Sequence, residues 1–89
     1  MRFTWSGTKR RANLKTHGLD FVDAPGVFEG RTFTFKDDRF DYGEERYVTL
    51  GFVRDVPVSI VHTETDELIR VISFRKATEK EYAILFENL

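Results

Sequence analysis

Residues 68–81 read LIRVISFRKATEKE, and this stretch decides the fold. Its first part, LIRVISFRK over residues 68–76, is apolar at both odd and even positions in the middle. A strand of that kind is covered on both faces, so we expect it in the centre of a sheet. Thr78 followed by Glu81 forms a capping box, in which each side chain bonds the other residue's backbone N–H. The stretch therefore predicts a strand joined directly to a C-terminal helix.

Between residues 31 and 68 the apolar side chains alternate with a period of two, which is typical of strands. This part of the chain predicts three strands, over residues 32–36, 46–53 and 58–64. Pro57 lacks a backbone N–H and so favours a strand start or a sheet edge. Because most connections are short hairpins, we expect the strands to pair in an antiparallel sheet.

The first 30 residues predict one short strand and two helices. Residues 2–5 alternate, Ser6 is a helix N-cap, and Gly18 fits the left-handed residue that closes a helix. Asp20 is a second N-cap, and the Pro25-Gly26 pair after it predicts a short or kinked helix. The element order is therefore β-α-α-β-β-β-β-α. This is an α+β fold with a mainly antiparallel sheet, two N-terminal helices and one C-terminal helix.

Length and composition narrow the class of protein. The 89 residues suffice for one domain, with 40% hydrophobic and 33% charged residues and no cysteine. No apolar run approaches the roughly 20 residues of a membrane span, and no apolar stretch follows the N-terminal charges as in a signal peptide. We therefore expect a soluble, cytoplasmic, single-domain protein that has no membrane partner.

The net charge of −1 conceals an uneven distribution along the chain. Residues 1–17 hold five bases and no acid, whereas residues 18–45 hold eight acids and three bases. Residues 46–89 are nearly balanced, with six bases and seven acids. The basic segment permits a polyanionic partner such as a nucleic acid. The alternative is a solvated helix face that contacts no partner.

Several kinds of chemistry have no support in the residue pattern. His17 and His62 lie on different elements and have no carboxylate at metal-ligand spacing. No glycine-rich phosphate loop is present, and nothing marks a serine or threonine nucleophile. We therefore expect neither a metal nor a cofactor. Acid–base and electrostatic chemistry by His, Glu, Lys, Arg and Tyr side chains remains.

Arg70 and Arg75 stand out because arginines in an apolar strand are costly unless they find anions. A period of two places them on opposite faces unless a bulge intervenes. For Arg70 we favour a structural salt bridge to an acid on a packed helix. For Arg75, at the strand end, we favour a functional role.

Three further residues have a structural and a functional interpretation. For His17 we favour an interaction with the carbonyls or the dipole at the helix end. Trp5 is expected to anchor the core rather than to stack on a base. Tyr82 opens the stripe of the last helix, so a core position is slightly favoured over catalysis. That stripe consists of Tyr82, Leu85, Phe86 and Leu89.

The segments WSGTKRRANLKTHGLDF, APGVF, EERYVTLG, VHTE and IRVISFRKAT, followed by Glu81, resemble the BrnT family of type II toxins. The resemblance covers nearly the whole chain, as a single BrnT-like domain over residues 1–89. In this chain Ser6 stands where an aspartate is commoner, and the Pro25-Gly26 pair replaces helix formers. The family's usual residues are present at Trp5, Lys9, Asn13, His17, Gly18, Phe21, Ala24, Val27, Phe28, Arg46, Gly51, Thr63, Arg70, Ser73, Arg75, Ala77 and Glu81.

This resemblance implies a RelE-like endoribonuclease that needs no metal and arrests translation and growth. In such enzymes the ribose 2′-hydroxyl attacks the adjacent phosphorus. The resemblance implies a catalytic set with Arg75 as the phosphate-binding cation, His17 as the base, Tyr82 as the acid, and Arg46. It also implies that RNA is bound by Lys9, Arg10, Arg11 and Arg70.

The resemblance further implies protein partners. A BrnA-like antitoxin of the ribbon-helix-helix type neutralises the toxin in a heterotetramer, and the toxin contacts DNA only through it. The alternative is a catalytically inactive toxin-like protein that holds the antitoxin and co-represses their operon. A third interpretation is a small structural domain in which Arg70 and Arg75 only form salt bridges.

Overall fold

The computed structural model describes all 89 residues as three helices and a five-stranded sheet. In chain order the elements are β1 (Arg2–Thr4), α1 (Gly7–His17), a 3₁₀ turn (Phe21–Asp23), α2 (Ala24–Glu29), β2 (Phe33–Asp37), β3 (Arg46–Val53), β4 (Val56–Glu64), β5 (Leu68–Lys76) and α3 (Glu79–Glu87). The predicted α+β class with a mostly antiparallel sheet is confirmed. None of the helices has the length and apolar character needed to cross a bilayer.

The strands lie in the order β1-β5-β4-β3-β2, and only β1 and β5 run parallel. The expectation that residues 68–76 form the central strand is wrong, because β4 holds that place and β5 lies next to the edge. The edge strand β1 is short, and it pairs only with residues Leu68 to Arg70. After Thr4 the chain turns into α1, so the second half of β5 has no neighbouring strand on this side.

Asn13 of α1 takes the place of the missing strand beside β5. Its Oδ1 accepts from the Phe74 backbone N–H at 3.1 Å, and its Nδ2 donates to the Phe74 carbonyl at 2.8 Å. The same Nδ2 also donates to the Leu19 carbonyl at 3.0 Å. A buried amide thus satisfies backbone groups that would otherwise lose hydrogen bonds at considerable cost. These bonds fix the strand directly before Arg75.

Two apolar clusters cover the two faces of the sheet. The larger one packs against α1, the 3₁₀ turn and α2, and it consists of Leu19, Phe21, Ala24, Val27, Val58, Ile60, Ile69, Val71 and Phe74. Trp5 packs against this cluster, with its ring edge-on to Phe21 at 6.3 Å, as expected of a core anchor. The smaller cluster lies under α3 and consists of Val48, Leu50 and Leu85. A Cβ at Gly51 would lie 2.7 Å from Val27 Cγ1, so glycine permits the close approach of α2.

The second helix differs in its start from the prediction. Asp20 caps the 3₁₀ turn, where its Oδ1 accepts from the Val22 N–H at 3.2 Å, and α2 begins only at Ala24. Pro25 lies in the first turn of α2, where its missing N–H costs nothing. The predicted short helix is confirmed at six residues.

The last helix, α3, has the predicted capping box, but the face that it turns toward the sheet is not the predicted apolar stripe. Thr78 Oγ1 accepts from the Glu81 N–H at 3.2 Å, and Glu81 Oε1 accepts from the Thr78 N–H at 2.9 Å. The core position favoured for Tyr82 is wrong, because Tyr82 is 46% exposed and Phe86 is 51% exposed. The ion pair between Glu81 and a strand arginine turns Glu81, rather than Tyr82, toward the sheet.

Candidate functional site

A β-bulge in β5 determines where its arginines point. Ser73 lies opposite Val61, but Val71 lies opposite His62, the next residue of β4, so Ile72 is the extra residue. One extra residue reverses the alternation of side chains along the strand. The expectation of opposite faces therefore fails, and Arg70 and Arg75 share one face of the sheet.

On the sheet face covered in part by α3, strands β2, β3 and β5 place four charged residues, and we call these four positions the polar face. Its charged members are Asp37, Arg46, Arg70 and Arg75. Arg46 lies opposite Asp37, while Arg70 and Arg75 lie opposite Thr63 and Ser59 of β4. The polar face thus presents three arginines drawn from two strands that are not adjacent in the sheet.

Arg75 forms a two-pronged ion pair with Glu81 of α3. Its two terminal nitrogens lie 2.7 Å from Oε1 and 3.0 Å from Oε2. Burial by itself would raise the pKa of Glu81, but the hydrogen bonds from Arg75 and from the Thr78 N–H together lower that pKa below its ordinary value. Glu81 is therefore an ionised carboxylate held against a guanidinium, in a geometry that lysine cannot reproduce.

A cavity of about 280 Å³ opens beside this ion pair, between α3, the sheet and the start of the loop after β2. We call it the Arg75 cavity. Its charged lining residues are Lys36, Asp37, Asp38, Arg39, Arg75, Lys80 and Glu81. Cations and carboxylates therefore meet in one partly enclosed space, which is the arrangement that acid–base and electrostatic catalysis requires.

Asp37 anchors the far wall of the Arg75 cavity. Its carboxylate accepts from Arg39 at 2.8 and 3.0 Å and from the Tyr42 hydroxyl at 3.1 Å. The hydrogen bonds from Arg39 lower the pKa of Asp37 to about 2, against the opposing effect of burial. Asp37 is consequently charged at any physiological pH and fixes the position of Arg39.

Arg70 and Arg46 share a single acidic partner, Glu44, in the loop between β2 and β3. Arg70 donates to both Glu44 oxygens at 2.8 and 2.9 Å, and Arg46 Nε donates to Oε2 at 3.1 Å. The Arg46 guanidinium also stacks 4.1 Å above the Tyr42 ring. The salt bridge predicted for Arg70 exists, but its acid lies on a loop rather than on a packed helix. The segment 38–45 has no hydrophobic periodicity from which Glu44 could have been singled out.

The structure does not bring His17 or Tyr82 to the Arg75 cavity. His17 is exposed at the end of α1 and lines a separate shallow pocket of about 220 Å³ with Lys9 and Asn13. Tyr82 lines another, mostly apolar pocket with Pro57 and packs on Phe86 at 4.5 Å between ring centres. The two residues predicted as base and acid thus lie in different places from the predicted phosphate-binding arginine.

The basic segment at the N-terminus is partly neutralised. Arg10 forms a two-pronged ion pair with Asp20, at 2.7 and 3.0 Å, which lowers the pKa of Asp20. Lys9 and Arg11 are exposed on α1 and have no acidic partner. Two of the three bases predicted to attract RNA are therefore free in the folded chain.

His62 is the residue that sequence reasoning passed over. It is fully buried under Phe28, whose ring meets it edge-on at 5.1 Å, and its Nε2 lies 2.7 Å from Thr49 Oγ1. Its Nδ1 has no hydrogen-bond partner, and burial lowers the pKa of His62 to about 4. His62 lies on the face opposite the polar face, so it belongs to the core rather than to the site.

The fold and the polar face define a small α+β protein with an arginine–glutamate centre. The family described as "Ribonuclease toxin, BrnT, of type II toxin-antitoxin system" matches residues 5–81, and the chain belongs to this family. The resemblance noted in the sequence is thereby confirmed. No curated protein sequence matches the chain. A toxin of such a system implies an RNA target and a protein antitoxin.

Proposed function

We propose that the chain is a metal-independent endoribonuclease with a RelE-like fold, acting in the cytoplasm to arrest translation and growth. The observation that carries the proposal is the Arg75–Glu81 ion pair at the Arg75 cavity, with Lys80 in the same wall. This cluster holds a fork-shaped cation, an ionised carboxylate and a second cation within one cavity. Membership of a ribonuclease toxin family supports the same chemistry.

The reaction that fits these groups is an internal transesterification of RNA. The ribose 2′-oxygen forms a bond to the adjacent phosphorus while the bond from phosphorus to the 5′-oxygen of the next nucleotide breaks. A base takes the 2′-hydroxyl proton, and an acid gives a proton to the departing 5′-oxygen. The products are a 2′,3′-cyclic phosphate and a 5′-hydroxyl, so no external co-reactant is needed.

The groups of the Arg75 cavity can fill each of these roles. Arg75 binds the nonbridging phosphate oxygens with two N–H groups and stabilises the charge that develops there. Glu81, already ionised, accepts the 2′-hydroxyl proton, and the Lys80 ammonium donates a proton to the 5′-oxygen. His17 as base and Tyr82 as acid remain predictions from the resemblance. The geometry favours Glu81 and Lys80 because both line the same cavity as Arg75.

The RNA strand follows the remaining arginines. Arg46 and Arg70 extend the polar face away from Arg75, and Lys9 and Arg11 add exposed positive charge on α1. Arg10 contributes to this field only when Asp20 releases it. Charges of this kind attract the phosphate backbone without reading its sequence.

The partner that follows from this function is a BrnA-like antitoxin of the ribbon-helix-helix type, assembled with the toxin into a heterotetramer. DNA contacts are made by the antitoxin alone. An antitoxin segment that covers the polar face and the bases of α1 blocks substrate, since complementary charge both speeds association and excludes RNA. Such a segment wraps a small protein most effectively if it folds on binding.

A second candidate function is a catalytically inactive toxin-like protein that holds the antitoxin and co-represses their operon. One observation favours it: each arginine of the polar face is paired with a carboxylate of the same chain. The net charge of −1 is also low for a protein that binds a polyanion.

Induced expression in bacteria without the antitoxin separates the two functions. The chain is expected to stop growth and to degrade cellular RNA, whereas Arg75→Ala, which removes the phosphate-binding cation, is expected to do neither while accumulating as folded protein. Growth and RNA integrity are followed together, with melting temperature as the control for folding. Normal growth with intact RNA for the parent chain would contradict the ribonuclease function and favour the inactive binder.

A further inference from the structure

We infer that Arg46 and Arg70 form a second phosphate subsite for single-stranded RNA, and that the Glu44 carboxylate occupies it in the free protein. This inference rests on the proposed function, since it names a further part of the substrate-binding face. It assigns Glu44 a regulatory role, because RNA has to displace that carboxylate in order to bind.

The hydrogen bonds of Glu44 show which ligand the subsite accepts. Both Glu44 oxygens accept from Arg70, at 2.8 and 2.9 Å, and one also accepts from Arg46 at 3.1 Å. Two oxygens of one anion therefore accept three hydrogen bonds from two nitrogens, Arg70 Nη2 and Arg46 Nε. Guanidinium N–H groups donate to carboxylate and to phosphate oxygens alike. A phosphodiester has two nonbridging oxygens and can replace the carboxylate directly.

The loop geometry makes this replacement feasible. Glu44 lies in the segment 38–45, which has no helix or strand, directly after Gly43 with a φ of +72°. Its ion pair with Arg70 is exposed, with side-chain exposures of 42% for Arg70 and 37% for Glu44, and the Arg46 side chain is 24% exposed. Exposed ion pairs contribute little net stability, so phosphate competes with Glu44 at low cost.

The Arg46 guanidinium is held in place independently of Glu44, and the strand holds the backbone of Arg70. Arg46 stacks on the Tyr42 ring at 4.1 Å, and Tyr42 is tied to buried Asp37 by a hydrogen bond of 3.1 Å. The Arg70 backbone lies between Thr4 of β1 and Thr63 of β4, while its guanidinium has Glu44 as its only side-chain partner. Removal of the Glu44 charge therefore leaves a positioned Arg46 and an unpaired Arg70 guanidinium that can take up another anion.

The surroundings of Glu44 have room for a nucleotide. A pocket of about 500 Å³ lies beside Arg70, lined also by Thr63, Thr65 and Glu64. Arg70 and Arg75 share a face of one strand, separated by five residues of which one is the bulge, or about 13–16 Å at the usual rise per residue. A strand of RNA cleaved at Arg75 thus passes over Arg70 a few nucleotides away.

The test compares Glu44→Gln with Glu45→Gln, two variants that lose the same charge one residue apart. Glu45 lines the same pocket but pairs with Lys36 and the Tyr47 hydroxyl and contacts neither arginine, so Glu45→Gln controls for the loss of one acid from that pocket. The probe is a fluorescent 2′-O-methyl oligoribonucleotide, which binds like RNA but has no 2′-hydroxyl to attack phosphorus. Affinity is measured over a range of salt concentrations, and cleavage of unmodified RNA is measured alongside.

We expect Glu44→Gln to bind the probe several-fold tighter than both the parent and Glu45→Gln. One additional phosphate contact should steepen the slope of log K against log salt by about 0.7. Adding Arg70→Ala to Glu44→Gln should remove both effects. Equal affinities for the two Gln variants, with RNA still bound and cleaved, would overturn the subsite alone. Failure of every form to bind or cleave RNA would overturn the proposed function together with it.

Discussion

Burial of His62 makes the stability of the core depend on pH. His62 ends a chain of hydrogen bonds that runs inward from exposed Thr34, whose Oγ1 lies 2.7 Å from Thr49 Oγ1, to the buried imidazole, whose Nε2 lies 2.7 Å from Thr49 Oγ1. The nearest acid is Glu64, with Oε1 3.9 Å from the unpartnered Nδ1, and Phe28 and Tyr47 pack on the ring. The ring is therefore held neutral in an apolar site, and a proton there is costly.

We predict that stability falls as the pH is lowered from about 6.5 to about 4. His62 in the unfolded chain binds a proton below its ordinary pKa of 6.5, but in the folded chain only near 4. Unfolding therefore takes up a proton in this window, and the free energy of unfolding should fall by roughly 3 kcal/mol across it. Urea unfolding of the parent and of His62→Gln at a series of pH values measures the difference.

The exposed His17 is present in the parent chain and in His62→Gln, so the difference between their two stability curves reports on His62 alone. If the two stability curves run parallel between pH 7 and 4, protonation of His62 does not control stability. An imidazole NMR titration that gives His62 an ordinary pKa would contradict the account in the same way.

The contacts between individual side chains were the part of the site that the sequence predicted least well. The acidic excess of residues 18–45 could be counted, but Glu44 and Arg70 are 26 positions apart, and no local pattern links them. His62 alternates with apolar neighbours as any strand residue does, so its burial depends on Phe28 of a different element. The candidate arginines could be named because charge inside an apolar strand is conspicuous, whereas their partners could not.

At the scale of the element, α3 serves the site through Glu81. The same carboxylate closes the capping box with Thr78 and holds Arg75. The cap aligns the first turn of α3 with the end of β5. The proton acceptor of the proposed reaction, Glu81, and its phosphate-binding group, Arg75, therefore lie at the two ends of one short segment, residues 75–81.

We predict that the two roles of Glu81 separate by substitution. Glu81→Gln keeps an oxygen that can accept from the Thr78 N–H, so the cap should survive, and the melting temperature should fall only through loss of the partly buried ion pair with Arg75. RNA cleavage should fall about 10²- to 10⁴-fold through loss of a general base. Thr78→Ala should lower the free energy of unfolding by about 1 kcal/mol while most of the cleavage activity remains. Melting curves and single-turnover cleavage rates measure both. Equal losses of activity in the two variants would show that Glu81 acts only through the helix.

The bounds of the helices and strands were largely predictable from the sequence, whereas the order and register of the strands in the sheet were less so. The capping box located the start of α3, and the period of two located β2 to β5 within a few residues. The sequence allowed for a bulge between Arg70 and Arg75 but did not predict one, because residues 69–74 hold apolar side chains at both odd and even positions and so do not show which residue is the extra one. β5 lies next to the edge because β1 pairs with its outer side, and no local pattern in the sequence shows with which strand β1 pairs.

At the scale of the whole molecule, the uneven charge of the sequence is cancelled by the fold. Acids of residues 18–45 meet bases from other elements, as Asp20 meets Arg10 and Glu44 meets Arg70. Arg2, Arg11 and Arg31 have no carboxylate within ion-pair distance, but the other six arginines have one, and Arg46 and Arg70 share Glu44. Substrate has to compete for these arginines, which makes the activity of the free chain sensitive to salt and to single acidic residues.

The proposed ribonuclease activity is tested by cleavage of RNA by the purified chain in the presence of EDTA, with Arg75→Lys as the matched variant. We predict that the parent chain cleaves and leaves 2′,3′-cyclic phosphate ends. Arg75→Lys, which keeps the charge but loses the fork, should be slower by about 10²- to 10³-fold. Cleavage that stops in EDTA and returns with magnesium, or an Arg75→Lys variant as active as the parent, would contradict the account.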